Sequence, residues 1–302
     1  MHDSLLVELA PVASSLLERH LRTAKEWFPH QLVPWHEAAN LDVDDGWRED
    51  RYPLPDAVRR ALVVNLLTED NLPYYFNTID RIFGSDGAWG EWARRWTAEE
   101  GRHSIVIRDF LTVTGAVDPV ALERGRMQQM SHGFTHDMDG PAECLVYVAL
   151  QELATRISHR NTGKLLEGPG YEVMARVAAD ENLHYLFYRD VVSAAIEVDA
   201  SRMVLAIARQ VRDFEMPGTG IEGFGAHARA IAKAGIYDLA IHHDQILMPV
   251  VLHHWRLAQL EGLSAEAEAA REKLVRRMQR IQHAARVFAE RRADADADAL
   301  VG

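Results

Sequence analysis

Cysteine is almost absent from this chain. Of its 302 residues only Cys144 is a cysteine. No disulfide can therefore form within the chain, which favours a reducing compartment. We expect Cys144 to pack as a small apolar side chain.

Long apolar runs are also missing. No stretch approaches 18 uninterrupted apolar residues, so the sequence offers no membrane-spanning helix. The N-terminal string MHDSLLVELAP has neither the basic and apolar regions of a secretory signal nor the Arg- and Ser-rich composition of a transit peptide. Together with the single cysteine, these absences favour a cytoplasmic protein.

Basic charge is in deficit. The chain has 33 Lys and Arg against 45 Asp and Glu, a formal net charge of -12, and no basic stripe offsets it. This balance argues against bulk affinity for nucleic acid or an anionic membrane. No G-x-S-x-G elbow, Walker A or G-x-G-x-x-G string stands out, so no motif supports a hydrolase, an NTPase or a dinucleotide-binding protein.

Helical periodicity dominates what is present, with no convincing strand alternation. We expect an all-α chain with one domain over residues 1–290 and, since ADADADALVG has low complexity, a disordered tail over 291–302. Pro73 follows Glu69 by four residues, so the helix should bend or bulge there. The predicted helices span residues 3–26, 54–82, 87–115, 118–133, 141–166, 170–198, 200–214, 224–234, 237–260 and 264–291, with a long irregular segment near 28–47.

One pattern occurs twice: a lone glutamate in an apolar helical stretch, followed about thirty residues later by Glu-x-x-His. The spacing is 31 residues in one copy and 29 in the other. Residues i and i+3 share a helix face, so each Glu-x-x-His pair can point to one place. The copies are Glu69 with Glu100 and His103, and Glu152 with Glu181 and His184.

Four such helices can converge four carboxylates and two imidazoles on one point, the ligand plan of ferritin-like di-iron and di-manganese proteins. Two divalent cations would compensate carboxylates that are otherwise too costly to bury. Mixed O and N donors without thiolate suit Fe or Mn. The alternative is that the residues form surface salt bridges, but apolar flanks such as VVNLL and VYVAL oppose it. The predicted fold is a ferritin-like helix bundle with a four-helix di-iron core and additional peripheral helices.

The strings around these residues resemble one family. LLTEDNLPYYFNTI, RWTAEEGRHSIVIRDFLTVTGAVD, LQELATRISHRNTG and AADENLHYLFYRDVV are similar to the four ligand-bearing helices of the soluble acyl-carrier-protein desaturases, both the plant stearoyl-type enzymes and their actinobacterial relatives. The resemblance extends to KEWFPHQLVPW and GLSAEAEAA and covers roughly residues 15–285. It departs in the second Glu-x-x-His string, where Leu183 and Tyr185 replace a basic and an acidic residue.

The resemblance implies that all six residues are ligands of two Fe ions and that O2 is a co-substrate. It makes Thr155 a proton relay at the metals, with a hydroxyl bonded back to the Gln151 carbonyl as the alternative. It implies electron entry through Trp27 and Asp180 to a ligating histidine, although ordinary packing of Trp27 is an alternative. A metal-bound imidazole usually donates its other N–H to a carboxylate, so Asp180 is a credible acceptor for His103. The repeat suggests that Glu99 accepts from His184 in the same way.

The implied activity is a cis-desaturation of an acyl chain on an acyl carrier protein, with electrons from a ferredoxin-type donor, by a homodimer. Arg22 and Lys25 match basic residues that lie toward the carrier in the family, with a solvated helix face as the alternative. Other readings are a related di-iron oxygenase that hydroxylates a carrier-bound chain, and a non-catalytic metal-storing or acyl-binding protein. Chain length and double-bond position are not predicted.

Four histidines near the C-terminus invite a second metal site. No acidic partner is obvious, so partly exposed helix histidines are the favoured interpretation. They are His242, His243, His253 and His254.

Overall fold

The computed structural model describes residues 3–38, 47–48, 53–133 and 138–301. Helices make up most of this described part, and it contains no strand. The predicted all-helical class is confirmed. Residues 39–46 of the predicted irregular segment lie outside the described residues. The α-helices are α1 (Ser4–Thr23), α2 (Pro29–Leu32), α3 (Asp56–Glu69), α4 (Leu72–Phe83), α5 (Gly87–Thr114), α6 (Pro119–His132), α7 (Pro141–Gly163), α8 (Gly168–Val198), α9 (Ala200–Asp213), α10 (Phe224–Lys233), α11 (Leu239–His242) and α12 (Ala265–Val301).

Pro73 divides the second predicted helix in two. α3 ends at Glu69, and α4 begins at Leu72 with Pro73 in its first turn. Proline has no N–H, so the Glu69 carbonyl would lack its usual donor in a continuous helix. The irregularity predicted at Pro73 is present, but it is a break between two helices and not a bend or bulge within one, and it places Glu69 at a helix end.

α7 occupies the centre of the bundle. Most of its side chains are buried, as expected of a helix surrounded by others, and Leu145, Leu150 and Ile157 are at most 2% exposed. Residues 164–167 connect it to α8, and so short a link makes the two helices antiparallel neighbours. α3, α4 and α9 also pack against α7. No helix of the described part is both long enough and apolar enough to cross a bilayer.

α1 packs across α5 and α8. Its buried side chains recur at helical spacing, from Leu6 and Leu9 through Leu17 to His20. The helix ends at Thr23, three residues before its predicted end.

The C-terminal third departs furthest from the predicted helices. A π-helix, His243–His254, follows α11 directly, where one regular helix was predicted. Pro249 lies inside it and would leave a carbonyl without a donor in an α-helix, a position where wider turns occur. α12 continues to Val301, and the disorder expected for residues 291–302 stays a prediction. Alanine, the strongest helix former, alternates through this segment.

The four C-terminal histidines fall into two environments. His242 and His243 are buried, which corrects the expectation of partly exposed side chains, whereas His253 and His254 are exposed. Acidic partners also exist: Nδ1 of His243 lies 2.6 Å from Asp244. Within the described residues, the groups with metal-ligand spacing lie elsewhere and include none of the four.

His242 should make the stability of the protein pH-dependent. Burial, and then the charge of His243, lowers the pKa of His242 to about 4 from 6.5, and its Nδ1 lies 2.8 Å from the Tyr237 hydroxyl. The unfolded chain binds a proton near pH 6.5 and the folded chain only near 4, so stability falls as pH falls through this window. His242→Asn keeps an acceptor for Tyr237 without titrating. Urea unfolding should show the parent losing about 2 kcal/mol more than the variant between pH 7 and 4.5. Parallel losses in the two proteins would contradict this.

Candidate metal centre

The six predicted ligands meet in the interior of the bundle. Each is at most 6% exposed. Glu69 ends α3 and Glu152 lies midway along α7, while α5 and α8 each supply a glutamate and a histidine one helical turn apart. The structure thus brings together Glu69, Glu100, His103, Glu152, Glu181 and His184.

Both imidazoles point the same ring atom inward. Nδ1 of His103 lies 3.2 Å from Oε2 of Glu100 and 3.3 Å from Oε1 of Glu181. Nδ1 of His184 lies 2.7 Å from Oε1 of Glu100 and 3.6 Å from Oε2 of Glu152. The two Nδ1 atoms are therefore the ones available to a metal.

The ligand atoms form two overlapping groups, in each of which they lie within 4.8 Å of one another. Both groups contain Glu100 and Glu181, so these two carboxylates would contribute to holding each of two cations. Each group adds one further glutamate and one histidine. The groups are Glu69, Glu100, His103 and Glu181, and Glu100, Glu152, Glu181 and His184.

The electrostatics of the cluster fit a pair of cations. Burial and the neighbouring charge of Glu181 raise the pKa of Glu100 and of Glu152. Burial would also raise the pKa of Glu69, but hydrogen bonding to His103 lowers it below its usual range. Buried ligand atoms including Oε1 of Glu100 and Nδ1 of His184 have no hydrogen bond of normal geometry within the described part of the chain. Two divalent cations would satisfy these atoms and offset the repulsion.

A buried carboxylate lies behind each inward-facing histidine. Nε2 of His184 lies 2.9 Å from Oε2 of Glu99, and Nε2 of His103 lies 3.6 Å from Oδ2 of Asp180. The Trp27 indole donates to the same Asp180 oxygen over 2.8 Å, and its ring stacks on His103 with centroids 6.5 Å apart. Glu99 thus makes the hydrogen bond that usually orients a histidine in a metal site, and Asp180 lies beside His103 in the corresponding place, just beyond hydrogen-bond distance.

Thr155 faces the cluster one turn after Glu152. Its Oγ1 lies 2.9 Å from Oε2 of Glu181 and 3.2 Å from the Gln151 carbonyl. Both interactions considered from the sequence are therefore within reach of one hydroxyl, and the carboxylate is the nearer acceptor.

A cavity adjoins the cluster. It contains about 630 Å³ of space outside the protein atoms, part of it open to solvent, and its walls include Ile79, Tyr147 and Val148 as well as Thr155. A second cavity of about 560 Å³, with Phe224 in its wall, shares Thr155 with the first. Apolar walls with a few converging polar groups are typical of ligand sites.

Comparison with known proteins agrees with this geometry. Residues 2–300 match the model of the fatty acid desaturase family. The chain belongs to this family. It is 43% identical over 281 residues to a Mycobacterium tuberculosis protein named "Putative acyl-[acyl-carrier-protein] desaturase DesA1", covering 89% of this chain and 83% of that protein. It is 34% identical to the chloroplastic stearoyl-[acyl-carrier-protein] 9-desaturase 6 of Arabidopsis thaliana, covering 86% of this chain and 72% of that protein.

A solved structure also aligns with this desaturase. The X-ray structure of "putative acyl-ACP desaturase DesA2" from M. tuberculosis H37Rv superposes with a TM-score of 0.71 at 29% identity, covering 86% of this chain and 97% of that one. The predicted ferritin-like fold is confirmed. As a desaturase, the chain is an enzyme of the oxidoreductase class.

The predicted docking residues lie apart from the metal centre of this desaturase. The Arg22 side chain is 70% exposed and lies 3.7 Å from Glu18. Lys25 is also exposed and follows the end of α1. Their exposure suits a docking surface and an ordinary solvated face equally.

Sequence reasoning missed three side chains at the centre of this desaturase. Nε2 of His159 lies 3.2 Å from Oε1 of Glu69, the Trp96 indole donates to Glu152 over 3.0 Å, and His20 contacts Glu99. His159 lies seven residues after Glu152, two turns along the same helix face, and this spacing could have pointed to it. No local spacing singles out His20.

Proposed function

We propose that this desaturase introduces a cis double bond into a fatty acyl chain carried on an acyl carrier protein, using O2 and two Fe ions. The observation that carries the proposal is the pair of overlapping four-ligand groups beside an apolar-walled cavity. The carrier-bound substrate class is that named for the relatives from M. tuberculosis and A. thaliana. The ligand chemistry alone suits Fe or Mn, and the family resemblance selects Fe.

The proposed reaction is balanced by O2, two electrons and two protons. The –CH2–CH2– unit loses two hydrogens and becomes –CH=CH–, and both oxygen atoms leave as water. Two irons held by carboxylate and imidazole ligands supply the oxidising power that removal of hydrogen from an unactivated methylene requires.

The residues around the cavity hold the substrate and control protons. The apolar walls that include Ile79 and Val148 hold the acyl chain away from bulk water beside Glu152. The Thr155 hydroxyl donates to Glu181 and lines both cavities, so it can pass a proton toward reduced oxygen.

Electrons enter, in this proposal, along Trp27, Asp180 and His103. Trp27 is 6% exposed and stacks on the His103 ring. The Arg102 guanidinium lies 4.8 Å from the centre of the Trp27 ring on the outer side of the path. A ferredoxin-type protein is the proposed donor. The homodimer and the cytoplasmic location stay predictions.

Product analysis tests the proposal. Iron-loaded protein is incubated aerobically with saturated acyl carrier protein substrates, ferredoxin and a ferredoxin reductase, and the released acyl chains are analysed by mass spectrometry. We expect loss of two hydrogens. Addition of one oxygen would identify a hydroxylase instead, and an unchanged chain across all acyl lengths would identify a binding or storage protein.

Thr155→Val should uncouple oxygen consumption from product formation. Valine is nearly isosteric but has no hydroxyl, so the metals should stay bound while product per O2 falls roughly tenfold, less than the loss of a direct general acid. The measurement is product formed against O2 consumed, with iron content determined in parallel. An unchanged ratio of product to O2 would exclude proton transfer by Thr155 and leave its hydroxyl only a hydrogen bond within the helix.

Charge reversal at Arg22 and Lys25 should weaken carrier docking. Acyl carrier proteins are acidic and this chain is strongly negative, so docking needs a local basic patch. Replacing both by Glu should raise the apparent KM several-fold at low ionic strength, with a smaller effect at high salt. Lys273 and Arg276 have the same spacing, and Arg276 lies 3.4 Å from Glu272 in a similar exposed pair. Their reversal is the control. Equal kinetics for the two double variants would exclude the Arg22 face.

A further inference from the structure

A histidine outside the ligand set lies at the back of the metal centre. His20 belongs to α1, which contributes none of the six ligands. Its Nε2 lies 2.9 Å from Oε2 of Glu99, and Nε2 of His184 lies 2.9 Å from the same oxygen. All three side chains are buried, His20 being 4% exposed. One carboxylate oxygen is thus shared by two imidazoles.

This arrangement fixes which nitrogen of His184 carries a proton. The other oxygen of Glu99 contacts the Arg95 guanidinium, which favours the ionised carboxylate. An ionised carboxylate only accepts hydrogen bonds, so both Nε2 atoms donate to it. A metal bound at Nδ1 of His184, the atom that faces Glu100 and Glu152, needs this nitrogen unprotonated, and a proton held at Nε2 meets that requirement.

Aromatic packing restrains the His20 ring. It meets Trp92 edge-on with centroids 5.1 Å apart, and it stacks near His184 at 5.9 Å. Trp92 itself is stacked on Phe187 at 3.6 Å. His20 therefore meets Glu99 with its ring packed against both Trp92 and His184.

The other half of the centre is supported differently. Asp180, behind His103, accepts from Trp27 over 2.8 Å and from Arg102 over 3.0 Å. Among the described residues, His20 has no hydrogen bond or ring contact with this half. Glu99 also contacts a guanidinium, that of Arg95, through its other oxygen. The two outer carboxylates therefore differ in the ring that donates to them, the Trp27 indole at Asp180 and the His20 imidazole at Glu99.

We propose that His20 is a positioning residue for one of the two metal positions. Through Glu99 it fixes the orientation and tautomer of His184, and so it raises metal affinity at the position formed by Glu100, Glu152, Glu181 and His184. The position that contains His103 does not depend on it. This inference rests on the metal centre of the proposed function.

Stepwise metal binding to the metal-free protein tests this role without any turnover. Co²⁺ is titrated anaerobically, with calorimetry for affinity and visible absorption for coordination. His20→Phe keeps a ring but removes the donor, and His20→Gln restores an N–H at the position of Nε2. We expect His20→Phe to weaken one binding step by about 10- to 100-fold, as loss of such outer partners typically does, and to leave the other step unchanged. His20→Gln should recover most of the lost affinity.

His243→Phe is the matched control, because His243 is a buried histidine of the π-helix whose carboxylate partner, Asp244, belongs to neither ligand group. It should change neither step. Unchanged binding in His20→Phe, equal weakening of both steps, or failure of Gln to restore affinity would overturn the role of His20. Should His20→Phe not fold, Asn at position 20, too short to reach Glu99, replaces it in the comparison with Gln. A parent protein without two binding steps would refute the metal centre itself, and a parent with two steps but no desaturated product would refute only the proposed reaction.

Discussion

His184→Ala should remove metal binding and activity together. The Nδ1 atom of His184 lies within 3.6 Å of two carboxylates of its group, and no other histidine belongs to that group. Loss of an outer partner alone typically costs 10- to 100-fold in metal affinity, so we expect loss of a direct ligand to lower affinity and turnover by about 100-fold or more. Metal content after dialysis and product formation per chain are the measurements.

Glu152→Ala should reproduce that result, since Glu152 belongs to the same group and is 1% exposed. The control is His253→Ala, an exposed histidine of the π-helix, which should keep both properties. A His184→Ala protein with full metal content and little activity would assign His184 to catalysis without ligation and would contradict our assignment.

Arg126→Met should destabilise the fold more than other arginine substitutions. The Arg126 guanidinium binds Asp70 through two hydrogen bonds of 2.7 and 2.8 Å. Asp70 follows Glu69 at the break between α3 and α4, and its side chain is only 5% exposed. Removing the cation leaves a buried carboxylate without its partner, which costs about 3 kcal/mol. Urea unfolding of the metal-free protein measures this loss.

Arg108→Met is the matched control for that measurement. Arg108 binds Glu123 over 2.8 Å, but the two side chains are 41% and 43% exposed. Solvent screens such a pair, so the expected loss is below about 1 kcal/mol. Similar losses in the two variants would mean that Asp70 is not held as a buried charge.

The sequence predicted which six side chains meet in the bundle, because their positions obey local rules. Glu100 and His103 lie one turn apart on a helix, as do Glu181 and His184, and the repeat pairs each with a lone glutamate. Pro73 predicted an irregularity for an equally local reason, the missing N–H. The partner roles of Asp180 and Trp27 came from the family resemblance, because these residues are 153 positions apart.

The remaining features depend on packing between distant elements. His20 reaches Glu99 across 79 positions because α1 packs on α5 and α8, and no spacing in the chain encodes that contact. The π-helix of His243–His254 was predicted as a regular helix, since the apolar periodicity of so short a segment does not distinguish a wider turn. The burial of His242 likewise depends on Phe214, whose ring lies 4.7 Å away across the bundle.

Metal content is the most direct test of the central claim, that the two four-ligand groups hold two ions. The intact chain is stripped of metal, reconstituted anaerobically with Fe²⁺, freed of loosely bound ions and analysed by elemental mass spectrometry against protein concentration by amino-acid analysis. Two overlapping groups that share Glu100 and Glu181 predict about two iron ions per chain. Zero or one ion per chain would contradict the account.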